Sequence, residues 1–284
     1  MIRLDAATVL LQWATGGFAF LWVTTRRREV GIGYGWLLRG VYGLMAVGSV
    51  AVGSRIGWVP VRDVCGALCA AGAAVALGVS IQRRKAGVLH QRELVERRSA
   101  RVAAMTGIDR EAKEADRTGP EFPPVLDLVA PVVGLVGLVA AGIDAGGSTG
   151  LAVLRTLVGA LFLGAVSDAM LLGHWYLVQP GLARGPLLEL VRWLGVLWPF
   201  EVVALLLPTG MVSALNGTID DGYGGLLAWF WVACAVTTIG LVIVTRAALK
   251  ERYYSAVMAA TGLLYLAILT AFGTDLVARA VLAT

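Results

Sequence analysis

The chain has 284 residues, of which 58% are hydrophobic and only 15% are charged, and its formal net charge is +5. Soluble domains carry about 25% charged residues, so this composition excludes an ordinary soluble domain. Several apolar runs reach the roughly 20 residues that a helix needs to cross a bilayer, and they lack the alternation of β-barrel strands. We therefore predict an all-α integral membrane protein. The excess of Lys and Arg is typical of cytoplasmic loops, so no nucleic-acid partner is expected.

Eight apolar segments are candidates for transmembrane helices. In chain order they cover residues 7–25, 34–54, 63–82, 124–143, 150–178, 187–210, 223–245 and 252–280. The first is kept as a span because its arginines follow the apolar run, whereas those of a signal peptide precede it. The segments predict a three-helix transmembrane part (1–82), a charged, partly helical cytoplasmic loop (83–123) and a five-helix transmembrane part (124–284).

Basic residues are distributed unevenly between alternate loops. Arg26, Arg27 and Arg28 follow the first span and a basic run begins at Arg83. The alternate set of loops has Arg55 and Arg62, and then the loops at 144–150 and 213–225, which contain no Lys or Arg. The positive-inside rule then predicts that both termini are non-cytoplasmic. The expected location is a prokaryotic cell (inner) membrane, where the lipid bilayer is one partner. The loop 83–123 is expected to dock other protein subunits.

Ionisable residues inside the spans are the best functional candidates, because each is unfavourable in the membrane unless it is paired or hydrated. The deeper ones are Arg39, Asp168, His174, Glu201 and Asp275. Those near span ends, where long side chains reach the interface or a carboxylate meets headgroup water, are Asp127, Arg155, Glu189, Arg192 and Arg279.

The fifth and sixth spans are expected to be antiparallel neighbours, with Glu201 just past a kink at Pro199. Asp168 and Glu201 are then predicted at comparable depth, and His174 and Arg192 nearer the cytoplasm. This ladder predicts a ligand site or a proton relay, with Trp175 and Tyr176 as walls. The alternative is structural: hydrogen bonds from the two carboxylates hold helices together, and His174 belongs to an interfacial aromatic girdle.

No self-contained catalytic motif or metal-ligand pattern is found in the sequence. It has no zinc spacing, HExxH, GxSxG or phosphate-binding loop, and one membrane histidine is too few for bis-histidine haem ligation. No metal is expected, and the cofactor stays open with quinone as the candidate.

Four functions remain after these exclusions. The first is a non-catalytic membrane subunit of a respiratory or other redox complex, providing a quinone pocket or a proton route for electron transport. The second is a proton-coupled transporter of small molecules, for which the prolines and glycines would permit moving helices. The others are an intramembrane lipid enzyme using His174, Arg184 and Glu189, and a structural scaffold.

Overall fold

A computed structural model describes residues 5–83, 121–179, 182–251 and 253–283, and these contain helices and no strands. The long helices are α1 (Ala6–Thr25), α2 (Ile32–Ile56), α3 (Pro60–Gln82), α4 (Val129–Asp144, preceded by a 3₁₀ turn, Pro124–Leu128), α5 (Thr149–Val178), α6 (Gly185–Leu206), α8 (Leu226–Lys250) and α9 (Tyr254–Leu282). A short helix, α7 (Gly210–Leu215), follows α6. The helical part predicted within the loop 83–123 lies outside the described residues, which resume at Glu121.

Seven helical segments in the described part of the chain are long and apolar enough to cross a membrane. They correspond to the predicted spans except α6, which carries Glu189, Arg192 and Glu201 within its 22 residues. The protein is thus an all-helical, multi-pass integral membrane protein. The count of eight spans and the sidedness of the termini stay predictions.

Helices α1 and α5 form the centre of the bundle. Helix α1 packs against α2, α4 and α5, and α5 also contacts α6 and α9. A Cβ atom on Gly16 or on Gly164 would overlap the backbone of the facing helix. Small residues permit such close approach between membrane helices, and the indole of Trp13 adds a hydrogen bond of 2.7 Å to the Ser167 hydroxyl.

The bundle has two chemically different ends. Asp5, before α1, and Ala283, after α9, line the same cleft, and we call this side the termini end. At the opposite side, the arginine end, Arg26 pairs with Glu189 and Arg28 pairs with Glu121. The positive-inside prediction assigns the arginine end to the cytoplasm.

Candidate functional site

Asp168 lies in the buried face of α5 and is fully buried. The hydroxyl of Tyr42, on α2, donates a hydrogen bond to its Oδ1 atom. The hydroxyl of Tyr34 lies 3.5 Å from its backbone carbonyl oxygen. Oδ2 has no hydrogen-bond partner among the described residues, so the carboxyl group is only half satisfied.

Glu201, on α6, is also fully buried. Neither of its carboxyl oxygens accepts a hydrogen bond from a donor within the part of the chain that the structure describes, although the Asp275 carboxyl group lies within hydrogen-bonding reach of it. The charged groups that act on it electrostatically are Asp275 and Arg279 of α9 and Arg155 of α5. A buried carboxyl group without a donor is a costly arrangement, and among the described residues Glu201 has two buried side-chain oxygens of this kind.

Asp275 and Arg279 form an ion pair one helical turn apart on α9. The Nε atom of Arg279 lies 2.8 Å from Oδ2 of Asp275, and both side chains are buried. Gln12 of α1 joins them, because its Oε1 accepts from Arg279 and its Nε2 lies 3.5 Å from Oδ1 of Asp275. Gly159 of α5 leaves room for this contact, because a Cβ atom there would overlap the side chains of Gln12 and Asp275.

Arg155 is buried beside the last turn of α6. Its Nε donates to the carbonyl oxygen of Ala204 at 3.0 Å, and its Nη2 to that of Leu207 at 2.5 Å. A helix end leaves carbonyl groups without partners, and Pro208 has no N–H with which to bond the carbonyl four residues earlier. The guanidinium of Arg155 therefore supplies the hydrogen bonds that backbone N–H groups do not give to these two carbonyl oxygens.

These five side chains, Gln12, Arg155, Glu201, Asp275 and Arg279, are named here the polar layer. Glu201 precedes the end of α6 at Leu206 by five residues, and Asp275 precedes the end of α9 at Leu282 by seven. At 1.5 Å per residue these positions lie about 8 and 10 Å from the termini end. Four helices thus converge on one level of the bundle, close to the termini end.

Two clefts lie at the termini end, next to the polar layer. One, of about 640 Å³, is lined by Asp5, Arg62 and Arg279 among others. The other, of about 570 Å³, is lined by Ser148, Leu151, Arg155, Pro208, Gly210, Ile219, Asp220 and Leu282. The buried arginines of the polar layer therefore border spaces large enough for a small solute.

The predicted ladder is not assembled as one cluster. Asp168 and Glu201 do not act on each other in the described structure: Tyr42 is the partner of Asp168, and the polar layer surrounds Glu201. Asp168 follows Gly159, which marks the polar layer on α5, by nine residues, or about 14 Å. The expected equal depth is therefore wrong, because α6 places Glu201 only five residues from its end at the termini side.

The remaining ladder residues lie towards the arginine end. His174 is exposed on the bundle surface, and its Nδ1 lies 3.1 Å from the Tyr265 hydroxyl. Arg192 is exposed on α6. The Trp175 indole donates to Gln179 at 3.1 Å, and the buried Tyr176 donates to the carbonyl of Ala183. The structure does not bring them together with Glu201, and their role in a ligand site or relay remains a prediction.

Three expectations for residues near span ends need correction. Arg155 and Arg279 do not reach the interface but are buried in the polar layer. Asp127 does not meet headgroup water: its two carboxyl oxygens accept from Nε and Nη2 of Arg39, each at 2.7 Å. Thr25 donates to Asp127 at 3.0 Å as well. The distance of a residue from the end of its span did not predict its exposure, because neighbouring helices cover these three side chains.

The described residues contain no group of three His, Cys, Asp or Glu side chains arranged to hold a metal ion. Comparisons with family models, curated proteins and solved structures returned no match to this chain.

Proposed function

We propose that the protein is a proton-coupled transporter of small molecules in which Glu201 binds and releases the coupled proton. The observation that carries the proposal is that both carboxyl oxygens of Glu201, on α6, are buried in the helix bundle without a hydrogen-bond donor among the described residues. With α6 as the predicted sixth span, this carboxyl group lies inside the membrane, where an ionisable group is rare and is a candidate for function.

The surroundings of Glu201 supply two arrangements for its two protonation states. A protonated Glu201 can donate its proton to the nearby Asp275 carboxylate, which also accepts from Arg279 at 2.8 Å. An ionised Glu201 competes with Asp275 for the same guanidinium group. Proton binding therefore biases the pairing of Asp275 and Arg279, and the pairing links α6 to α9.

The arrangement of the bundle supports transport rather than a simple proton channel. Buried apolar side chains, among them Phe162, Leu163 and Val166, occupy α5 between the polar layer and Asp168. The two large clefts lie at the termini end, whereas a pocket at the described arginine end, beside Arg39 and Phe122, has a volume of only about 30 Å³. The ion pair Arg39–Asp127 ties α2 to the turn before α4 at that end. A barrier with the large clefts on one side supports alternating access.

A proton-conducting subunit of a redox complex would use Glu201 in the same way. The two functions differ in that only a transporter would move a solute when it is purified alone. The quinone pocket gains less support, because His174 is exposed and pairs with Tyr265 at the bundle surface. It also lies six residues beyond Asp168 on α5, about 9 Å along the helix.

Proton exchange by Glu201 is tested by infrared difference spectra of the purified protein in lipid across a pH jump. The wild type should show a carboxyl C=O band that is absent in Glu201→Gln and present in Glu189→Gln. Glu189 is the matched control because it is on the same helix but pairs with Arg26 and Arg27. An unchanged band in Glu201→Gln contradicts the proposal.

Transport is tested in proteoliposomes that contain only this protein and a trapped pH dye. A panel of amino acids, sugars, amines and carboxylates is added outside. We expect at least one solute to acidify the lumen of wild-type and Glu189→Gln vesicles faster than that of protein-free liposomes, and none to do so with Glu201→Gln. If no solute acidified wild-type vesicles faster than protein-free liposomes, transport by the isolated chain would be rejected.

A further inference from the structure

Arg155 differs from the other buried arginines of the described structure. Arg39, Arg62 and Arg279 each form an ion pair with a buried aspartate. Arg155 is as well buried, yet no carboxylate of the described residues lies within ion-pair distance of it, and its Nε and Nη2 atoms bond only carbonyl oxygens. A buried guanidinium without an anion is unfavourable, so a charge that would balance it is missing from its contacts.

One nitrogen of Arg155 is left for a ligand. Its Nη1 has no hydrogen bond to any described residue, and Arg155 lines the cleft of about 570 Å³ at the termini end. The two carbonyl bonds hold the guanidinium plane in place. A donor held in a fixed orientation at the wall of a cleft binds carboxylates more strongly than a mobile surface arginine does.

The other walls of the cleft limit the ligand to one negative charge and an apolar body. Leu151, Pro208, Ile219 and Leu282 supply apolar surface, and Asp220 is an exposed acidic group at the wall. Glu201 acts on Arg155 from behind the cleft. A second negative charge on the solute would face these two acids, whereas an apolar chain would be buried against the aliphatic walls.

We propose that this cleft binds a small monocarboxylate with a short apolar body, its carboxylate held by Arg155. The inference rests on the proposed function and names the solute class that is carried with the proton of Glu201. Arg155 lines the cleft and interacts electrostatically with Glu201. The bound anion and the protonation state of Glu201 therefore act on the same guanidinium group. Entry of the anion and protonation of Glu201 together keep the charge of the polar layer unchanged.

Binding is tested by the thermal unfolding of the purified protein with hexanoate as the probe, because a ligand of the folded state raises the unfolding temperature. Hexanoate should raise it in the wild type, and the neutral hexanamide and the cationic hexylammonium should not. Arg246→Gln, at an exposed position on α8 outside the cleft and the polar layer, is the matched control and should keep the response. Arg155→Gln should raise the half-saturating concentration by about tenfold or more, as expected for one lost charge-assisted hydrogen bond.

Because Arg155 also bonds the end of α6, Arg155→Gln can fail to fold, and Leu151→Trp provides an independent variant. It fills the cleft, leaves the guanidinium bonds intact and should abolish the hexanoate response. Equal responses to hexanoate and hexanamide, or a wild-type response in Leu151→Trp, overturn the proposal. Glu201→Gln should still bind hexanoate, so loss of proton exchange and loss of anion binding are distinguished.

Discussion

Tyr42 donates a hydrogen bond to Oδ1 of Asp168, so the buried aspartate of α5 is tied to α2 and not to Glu201 of α6. Phe18 of α1 packs edge-on against the same tyrosine ring, with a centroid separation of 5.7 Å. The pair therefore joins α2 to α5 around the central helix α1. It satisfies one oxygen of a carboxyl group that has no other side-chain donor among the described residues.

Tyr42→Phe should lower the free energy of unfolding by about 1–3 kcal/mol, because it leaves both carboxyl oxygens of Asp168 without a donor. Thermal unfolding in detergent measures the loss. Tyr34→Phe is the control, since its hydroxyl lies 3.5 Å from the backbone oxygen of Asp168 and contributes less. Equal losses of stability in the two variants would show that the Tyr42–Asp168 hydrogen bond contributes no more to folding than the weaker Tyr34 contact does.

Among the polar contacts described at the arginine end, the ion pair of Arg39 and Asp127 should lose the most stability when one partner is replaced. Arg39→Met leaves Asp127 buried without its two guanidinium bonds, and the expected loss is about 3–5 kcal/mol. The double variant Arg39→Met with Asp127→Leu removes both charges and should recover most of that stability. Equilibrium unfolding of the single and double variants gives the coupling energy. A double variant no more stable than Arg39→Met would contradict this account.

The apolar runs predicted most helix positions to within a few residues, because span length is set by the membrane. The predicted 150–178 is α5 (Thr149–Val178), and the predicted 7–25 is α1 (Ala6–Thr25). The sixth predicted span runs to residue 210, whereas α6 ends at Leu206, two residues before Pro208. A proline cannot donate the next helical bond, and this signal was already present in the sequence.

The candidate site was harder to predict, because partners in a bundle depend on which helices are neighbours. The sequence predicts that Glu201 and Asp275 both lie deep in their spans, but the two are 74 positions apart in the chain. Arg279 had a local signal, since it follows Asp275 by four residues and so shares its helix face. Gln12 carried no such signal: only the approach of α1 to α9 beside Gly159 brings it to the ion pair.

Close packing of α1 on α5 predicts that Gly16→Ala is destabilising, although alanine favours helices more than glycine does. The new methyl group would overlap the backbone of Ala160, and rigid backbone cannot yield as a flexible side chain can. Overpacking of this kind costs about 1–3 kcal/mol. Gly262→Ala is the control, because open space surrounds its position on α9. Thermal unfolding should separate the two substitutions, and equal stability would contradict the proposed helix contact.

Asp221 organises the loop before α8 at the termini end. Its carboxylate accepts from the backbone N–H groups of Gly225 at 2.8 Å, Tyr223 at 2.9 Å and Leu227 at 2.9 Å. These bonds hold the pKa of the Asp221 carboxyl group below its usual range, and the bond from Gly225 has the largest effect. They favour the ionised form, which also suits the positive N-terminal end of a helix.

The stabilisation by Asp221 is therefore complete above the unfolded-state pKa of about 4 and is lost as the pH falls through the lower folded-state value. Asp221→Ala should unfold at a lower temperature than the wild type at pH 7, and the difference should shrink only in acid below about pH 4. Asp220→Ala is the control, because Asp220 accepts one backbone bond, from Gly222 at 2.9 Å. A difference between Asp221→Ala and wild type that persists after the carboxyl is protonated would mean that shape, rather than charge, gives Asp221 its effect.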